Sequence, residues 1–310
     1  MPKGIYDRSQ VKHRSIPGID EVSHYWDKSE SHTIELLLDD GILAFPDVCE
    51  KCGASNTYRF KNKTKKQLRC NVAGCRHQRS LFQGSFFANC RLPLTKLMLF
   101  LYHWLSGVQC TQLKSITEFS STTVTNYLLH VKQLVIDDID THQEVIGGPD
   151  VIVEVDKSKF AKRKYHRGHR VASKAWIFGG IERTPERKFF AVQVNDRSAE
   201  TLSTVMKCFI HSESIVYSDC WKGYTNLVAK GICKEHKTVN HSVNYVDPES
   251  GAHTNSIEGH WGVLKGKIPK RKRTDDQVEA CILEQVWRHH NKDDLWNALK
   301  NALASVKYAD

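Results

Sequence analysis

VIVEVD, residues 151–156, marks a change of period in the chain. Val151, Val153 and Val155 alternate with Ile152, Glu154 and Asp156, and β-branched residues at that spacing read as a strand. Downstream, KAWIFGGIE (174–182), a turn at RTPER (183–187) and KFFAVQV (188–194) read as a hairpin. SAETLSTVMKCFI (198–210) is an amphipathic helix, SIVYSD (214–219) a short buried strand and CWKGYTNLVAK (220–230) another helix. TVNHSVNYVDPESG (238–251) gives a strand and a loop. NSIEGHWGVLKG (255–266) and DDQVEACILEQVWRHHN (275–291) complete the series as helices. Three antiparallel strands, then strands linked through helices, is the element order of a ribonuclease H-like α/β fold: a mixed five-stranded sheet with flanking helices.

In that order the VIVEVD strand is central and ends in Asp156, while SIVYSD ends in Asp219. Strand ends in α/β sheets are where ligands and chemistry gather. Two carboxylates brought together there repel, and without a cation one of them stays protonated. Hard oxygen donors of this kind suit Mg2+ or Mn2+. In HTNSIEGHWGVLK (253–265), Glu258 sits beside the apolar stripe of Ile257, Trp261 and Leu264, and becomes a third ligand if its helix crosses the sheet. A pair of metal ions about 3.5–4 Å apart in such a site suits displacement at a phosphodiester. Each acid also has an ordinary reading. A strand-end Asp is most often a turn or cap residue, and Asn255 with Glu258 comes close to a capping box. Glu154 shares a strand face with Asp156 and is a rival ligand, and Asp196, Asp247 and Glu249 are further loop acids.

Upstream, four of the ten cysteines fall between residues 49 and 75, spaced Cys49-x2-Cys52, seventeen residues, then Cys70-x4-Cys75. Two Cys pairs on tight knuckles, separated by enough chain for a hairpin, suit one tetrahedral Zn2+. Gly53 and Gly74 supply the backbone freedom a knuckle needs, and the wide second pair leaves His77 as an alternative to Cys75. Four protein ligands leave no open position, so the expected role is structural. Lys61, Lys63, Lys65, Lys66 and Arg69 decorate the hairpin and could touch phosphate.

SHTIELLLDDGIL (31–43) reads as a short amphipathic helix, and residues 92–137 read as helical throughout. TQLKSITEF (111–119), a Ser120-Ser121 turn and TTVTNYLLHVKQLV (122–135) have the outline of a helix-turn-helix, with Thr122, Thr123, Thr125 and Asn126 as the DNA-facing residues. The same outline also fits an ordinary helical hairpin.

Net charge is +10 with 16 His uncounted, an excess that attracts polyanions. It is concentrated in KFAKRKYHRGHR (159–170) and KGKIPKRKR (265–273), which read as DNA-contacting, or as solvated loops with a nuclear-import signal in PKRKR. Hydrophobic content of 40%, with seven Trp and twelve Phe, is enough for a real core. No apolar run approaches the roughly 18 residues of a membrane span, and the polar start has no signal core, so a soluble intracellular chain is expected.

VEVDKSKFAKRKYHRGHR, WIFGGIER, NDRSAETL, YSDCWKGY and HTNSIEGHWGVLK, in that order, resemble the DDE transposases of the Merlin group of eukaryotic DNA transposons and the related bacterial insertion-sequence transposases. The similarity covers roughly residues 45–290. It implies that Asp156, Asp219 and Glu258 are the catalytic acids and ligands of Mg2+ or Mn2+, two ions per active site. It implies that His253 and Asn255 position substrate or metal-bound water, and that Trp261 packs.

The expectation is therefore a cut-and-paste transposase that binds terminal inverted repeats, cleaves the transposon ends and joins the 3′-hydroxyl to target DNA. Pairing two ends requires a homodimer or higher homo-oligomer. Lys159, Lys162, Arg163, Lys164, Arg167 and Arg170 would hold the DNA backbone beside the metals. The competing expectations are a domesticated, non-catalytic DNA-binding factor and a structure-selective nuclease of the same fold. The domains expected are an N-terminal arm with a short helix (1–44), a zinc ribbon (45–90), a helical DNA-binding region (91–148), the catalytic domain (149–292) and a C-terminal helix or tail (293–310). The nucleus is the expected compartment in a eukaryote, and the cytoplasm in a bacterium.

Overall fold

The computed structural model describes residues 14–141, 144–160, 176–240 and 251–308, apart from the side chain of Arg271. It divides into two compact units, one running to Asp138 and resuming at Asn291, the other Ile139–His290.

The first unit begins with α1 (Ile19–Val22) and α2 (Glu30–Asp39), the latter capped by the Ser29 hydroxyl, which accepts from the His32 N–H. Three short strands follow: β1 (Tyr58–Phe60), β2 (Gln67–Cys70) and β3 (Gln78–Ser80), forming an antiparallel ribbon in that order. Then come α3 (Leu94–Leu105), α4 (Cys110–Thr117) and α5 (Ser121–Thr141). α3 is apolar nearly all round, and eight of its twelve residues are buried, which makes it the unit's central helix.

The described part of the N-terminal segment is packed rather than loose. Val22 and Tyr25 are buried, and Tyr25 lies edge-on to Trp296 at 5.6 Å. Asp40 accepts from the Tyr25 hydroxyl and from Lys300 Nζ, which tethers the chain's last helix to this unit.

In the second unit β4 (Ile152–Lys159), β5 (Trp176–Glu182) and β6 (Phe189–Val194) form the antiparallel half of a five-stranded sheet. α6 (Ala199–Phe209) leads to β7 (Ile215–Asp219), which pairs parallel to β4, and β8 (Glu235–Val239) pairs parallel to β7. The sheet order is β6-β5-β4-β7-β8, so the VIVEVD strand is central. α7 (Asn255–Lys267) and α8 (Val278–His290) follow, and α9 (Leu295–Ser305) returns the chain to the first unit.

Each sheet face has its own core. Val153, Val155, Phe178 and Val216 pack with Leu202 and Met206 of α6. Ile177, Ile181 and Phe189 pack with Ile257, Trp261 and Leu264 of α7 and Ile282 of α8. This is the mixed five-stranded α/β arrangement that the period change at residue 151 predicts, and it fits a ribonuclease H-like domain.

Two local expectations are corrected. The strand does not stop at Asp156 but runs to Lys159, because β5 continues to pair with it as far as Lys159↔Trp176. CWKGYTNLVAK is not an α-helix: it makes one 3-10 turn at Lys222–Tyr224, and Asn226 adopts a left-handed φ of 61° that interrupts any helical run. Among the described residues no helix is long and apolar enough to cross a membrane.

Candidate active site and metal centre

β4 presents alternate residues to the two sheet faces, so Glu154, Asp156 and Ser158 share the α7 side. All three are engaged by α7 or its approach. Glu154 is fully buried, and Arg183 Nε donates to its Oε1 at 2.6 Å. Its Oε2 accepts the backbone N–H groups of Ser256 and Ile257 at 2.8 and 3.1 Å. These are first-turn amides of α7, so Glu154 caps that helix from the sheet. It is a structural anchor rather than the rival metal ligand that the sequence allowed. Glu154→Ala leaves a guanidinium and two helix amides without their acceptor, and it should cost the second unit about 3–5 kcal/mol in denaturant unfolding.

Two residues further along, Trp261 Nε1 donates to Asp156 Oδ2 at 3.0 Å. Trp261 therefore does more than pack. Its indole fits because the residue opposite Asp156 on β5 is Gly179, where a Cβ would stand 2.5 Å from the Phe190 carbonyl oxygen and 2.8 Å from the indole ring. The third of the set, Ser158, accepts from Lys265 Nζ at 2.6 Å.

The parallel register β4–β7 pairs Glu154 with Tyr217. That pairing stops two residues short of Asp156 and Asp219, which stand at the same end of these adjacent strands, near enough for the charge of one to act on the other. Burial first, and then the charge of Asp219, push the Asp156 carboxyl up from 3.8 to about 6, against the opposing pull of the Lys157 N–H and ammonium and the Trp261 indole. The consequence for stability has a definite sign. A carboxyl whose folded pKa lies above its unfolded one favours the folded state only while protonated, so that contribution is lost as pH rises from about 4 through about 6. In protein without added Mg2+ or Mn2+, Asp156→Asn should therefore raise the melting temperature at pH 7.5 relative to wild type, with the difference shrinking towards pH 4.

Asp219 is held from two sides. Its Oδ1 accepts the Trp221 N–H at 3.0 Å and its Oδ2 accepts Lys157 Nζ at 2.8 Å. Glu258 is exposed on the first turn of α7, and its Oε1 accepts from the Thr254 hydroxyl at 3.1 Å. Among the described residues, the only group of three or more Cys, His or acidic ligand atoms within 4.8 Å of one another is a set of thiols, so the three carboxylates do not meet that closely. His253 faces Glu154, with Nδ1 3.5 Å from Oε1, and Asn255 is exposed as the first residue of α7.

The thiols are Cys49, Cys52, Cys70 and Cys75. Sγ of Cys49 lies 3.7 Å from that of Cys75, and Sγ of Cys52 lies 3.8 Å from that of Cys70. Tetrahedral zinc with Zn–S bonds of about 2.3 Å requires edges of about 3.8 Å, so the donor set could hold Zn2+. Gly53 and Gly74 take φ of 70° and 79° in the two knuckles. Burial opposes the Cys49 thiolate, but the N–H groups of Cys52 and Lys51 outweigh it and bring this thiol down to about 6. His77 turns instead to Glu50, with Nε2 3.5 Å from Oε2.

The proposed DNA-facing residues fare unequally. Thr122, Thr125 and Asn126 are exposed on the first turns of α5, while Thr123 is half-buried and gives its N–H to the Ser120 hydroxyl that caps the helix. On the ribbon, Lys61 and Lys63 are exposed, but Lys65 and Lys66 are neutralised by Glu35 and Glu30 of α2. Lys159 Nζ lies 5.8 Å from the Trp176 ring centroid. Lys162, Arg163, Lys164, Arg167 and Arg170 lie outside the described residues, as do Asp247 and Glu249. Sequence reasoning missed Arg183, Lys157, Trp221 and Tyr224 around the acids. The glycine pair in WIFGGIER was a usable signal, since adjacent glycines in a strand mark a close approach by another group.

Residues 142–289 match the model of the ISXO2-like transposase domain. The matched residues fall within the second unit, which carries Asp156, Asp219 and Glu258. The match supports a bacterial insertion-sequence transposase domain, an enzyme class that acts on DNA with divalent metal, and it does not reach to the Merlin group. No curated protein matches the chain.

Proposed function

We propose that the chain is a cut-and-paste DNA transposase whose active site is Asp156, Asp219 and Glu258. The observation that carries this reading is the Asp156–Asp219 pair. Two acids stand on adjacent central strands, one with its carboxyl pushed up to about 6 by burial and by the other's charge, inside the segment that matches a transposase domain. Such a pair is poorly arranged for stability and well arranged for a hard cation. Glu258, on the first turn of α7, would supply the third carboxylate of the donor set. Bound there, Mg2+ or Mn2+ would stabilise charge building on the phosphodiester oxygens and help ionise the attacking hydroxyl.

The chain's own residues do the positioning. Trp261 orients Asp156 through its indole N–H, and Glu154 with Arg183 fixes the start of the helix that carries Glu258. His253 and Asn255, at the mouth of that helix, orient the DNA strand. Thr122, Thr125 and Asn126 on α5, with the zinc ribbon, bind the terminal inverted repeats. Lys159 and the basic residues after it hold phosphate without reading sequence, so binding weakens steeply with salt. Two ends are paired by a homodimer or a larger homo-oligomer, working in the nucleus or the bacterial cytoplasm according to the host.

The test is to incubate the protein with Mg2+, a labelled transposon-end duplex and a plasmid target. Joined product is the expected result. Cleavage without joining would make the protein a nuclease of this fold, and binding alone would make it a non-catalytic DNA-binding factor.

A further inference from the structure

Lys157 carries a charge into a place where a lysine seldom goes. Its side chain is only 8% exposed, yet it ends in an ammonium. That ammonium sits 5.0 Å from the ring centroid of Trp221 and 5.1 Å from that of Tyr224, and it donates to Asp219 Oδ2 at 2.8 Å. Two aromatic faces and one carboxylate make a binding site for a cation, and here the cation is tethered to the chain. The carboxylate oxygen it takes belongs to the acid proposed to hold a divalent metal with Asp156. The other oxygen of Asp219 already accepts the Trp221 N–H. A divalent ion at Asp219 would meet the lysine's charge in a poorly hydrated setting, where repulsion between cations is strong.

We propose that Lys157 is a cation latch. Its ammonium holds Asp219 in the metal-free protein, and divalent metal binds by displacing it from the Trp221–Tyr224 cage. Resting on the metal-site reading above, this makes metal entry an exchange of one cation for another. The freed ammonium then lies beside the acids as a ready partner for a DNA phosphate. The latch also accounts for a lysine following Asp156 directly on a central strand, where an apolar residue would pack better against Tyr224.

The test uses the full zinc-loaded chain and Mn2+ as probe. Mn2+ binding is measured by calorimetry for wild type, Lys157→Gln, Lys157→Arg and Asp156→Asn. Lys157→Gln should bind Mn2+ at least about tenfold more tightly than wild type, and Lys157→Arg no more tightly than wild type. On the unmodified chain, lysine acylation followed by peptide mass spectrometry should find Lys157 protected without Mn2+ and labelled at saturating Mn2+. Equal or weaker Mn2+ binding by Lys157→Gln overturns the latch. So does Lys157 that stays protected at saturating Mn2+, and this second readout needs no variant to fold. Mn2+ binding that Asp156→Asn fails to reduce overturns the metal site itself, and the latch with it. Binding that depends on Asp156 but leaves Lys157 protected overturns the latch alone.

Discussion

Asp156→Ala and Asp219→Ala are each expected to slow cleavage of a labelled transposon end in Mg2+ by about a thousandfold or more, leaving end binding within a few-fold of wild type. The size follows from the site's construction. Both acids stand on adjacent strands of one rigid sheet, so neither can be replaced by a small movement of the other. The proposed binding elements are on α5 and the ribbon, which these substitutions do not touch. Asp156→Ala should fold as well as wild type, because removing one of two crowded carboxylates relieves repulsion and burial cost. Asp219→Ala instead leaves the buried Lys157 ammonium without its carboxylate and should melt lower. A variant that melts no lower than wild type and still binds ends, yet does not cleave, separates chemistry from stability. Single-turnover gel assays over several hours give the rates. Glu258→Ala should follow the same pattern, and an active variant would remove Glu258 from the donor set.

Cys70→Ser is expected to release zinc and dismantle the ribbon. β1, β2 and β3 are three or four residues each, too little sheet to bury a core that folds unaided. Structural zinc contributes on the order of 10 kcal/mol to comparably small peptides, so losing one of four thiolates removes most of what orders the segment. Zinc content by atomic absorption should fall from one ion per chain to well below half, and transposon-end affinity should fall at least about tenfold with it. Cys208→Ser, at an exposed thiol on α6, should change neither. His77→Ala should keep its zinc, since His77 faces Glu50 and the four thiols are complete without it.

The sheet was legible because its strands carry strong local signals. β-branched runs, the RTPER turn and the amphipathic helices fix both period and order, and the α/β class follows from the order. What could not be read were features set by partners distant in sequence. The strand containing Asp156 extends to Lys159 only because Trp176 pairs there. CWKGYTNLVAK has helix-like apolar spacing, but the left-handed Asn226 overrides it.

In the site, the acids Asp156 and Asp219 were visible as acids closing apolar strands. Their surroundings were not. The helix cap that the sequence offered to Glu258 is supplied instead by Glu154, from a strand a hundred residues earlier, and no local motif encodes that. Trp261 read as packing because an indole's hydrogen bond depends on where the sheet lies. Lys65 and Lys66 read as free cations because their acidic partners are on α2.

The central claim is that Asp156 and Asp219 form one metal-dependent site for phosphoryl transfer to DNA. The most direct measurement is joining of a pre-cleaved transposon end, its 3′-hydroxyl already exposed, to plasmid DNA in Mg2+, comparing wild type with Asp156→Ala and Asp219→Ala. Joined product from wild type, lost on adding EDTA and absent from both variants, is the predicted result. Joining by either variant at the wild-type rate, or no joining by wild type that binds the end, would contradict it.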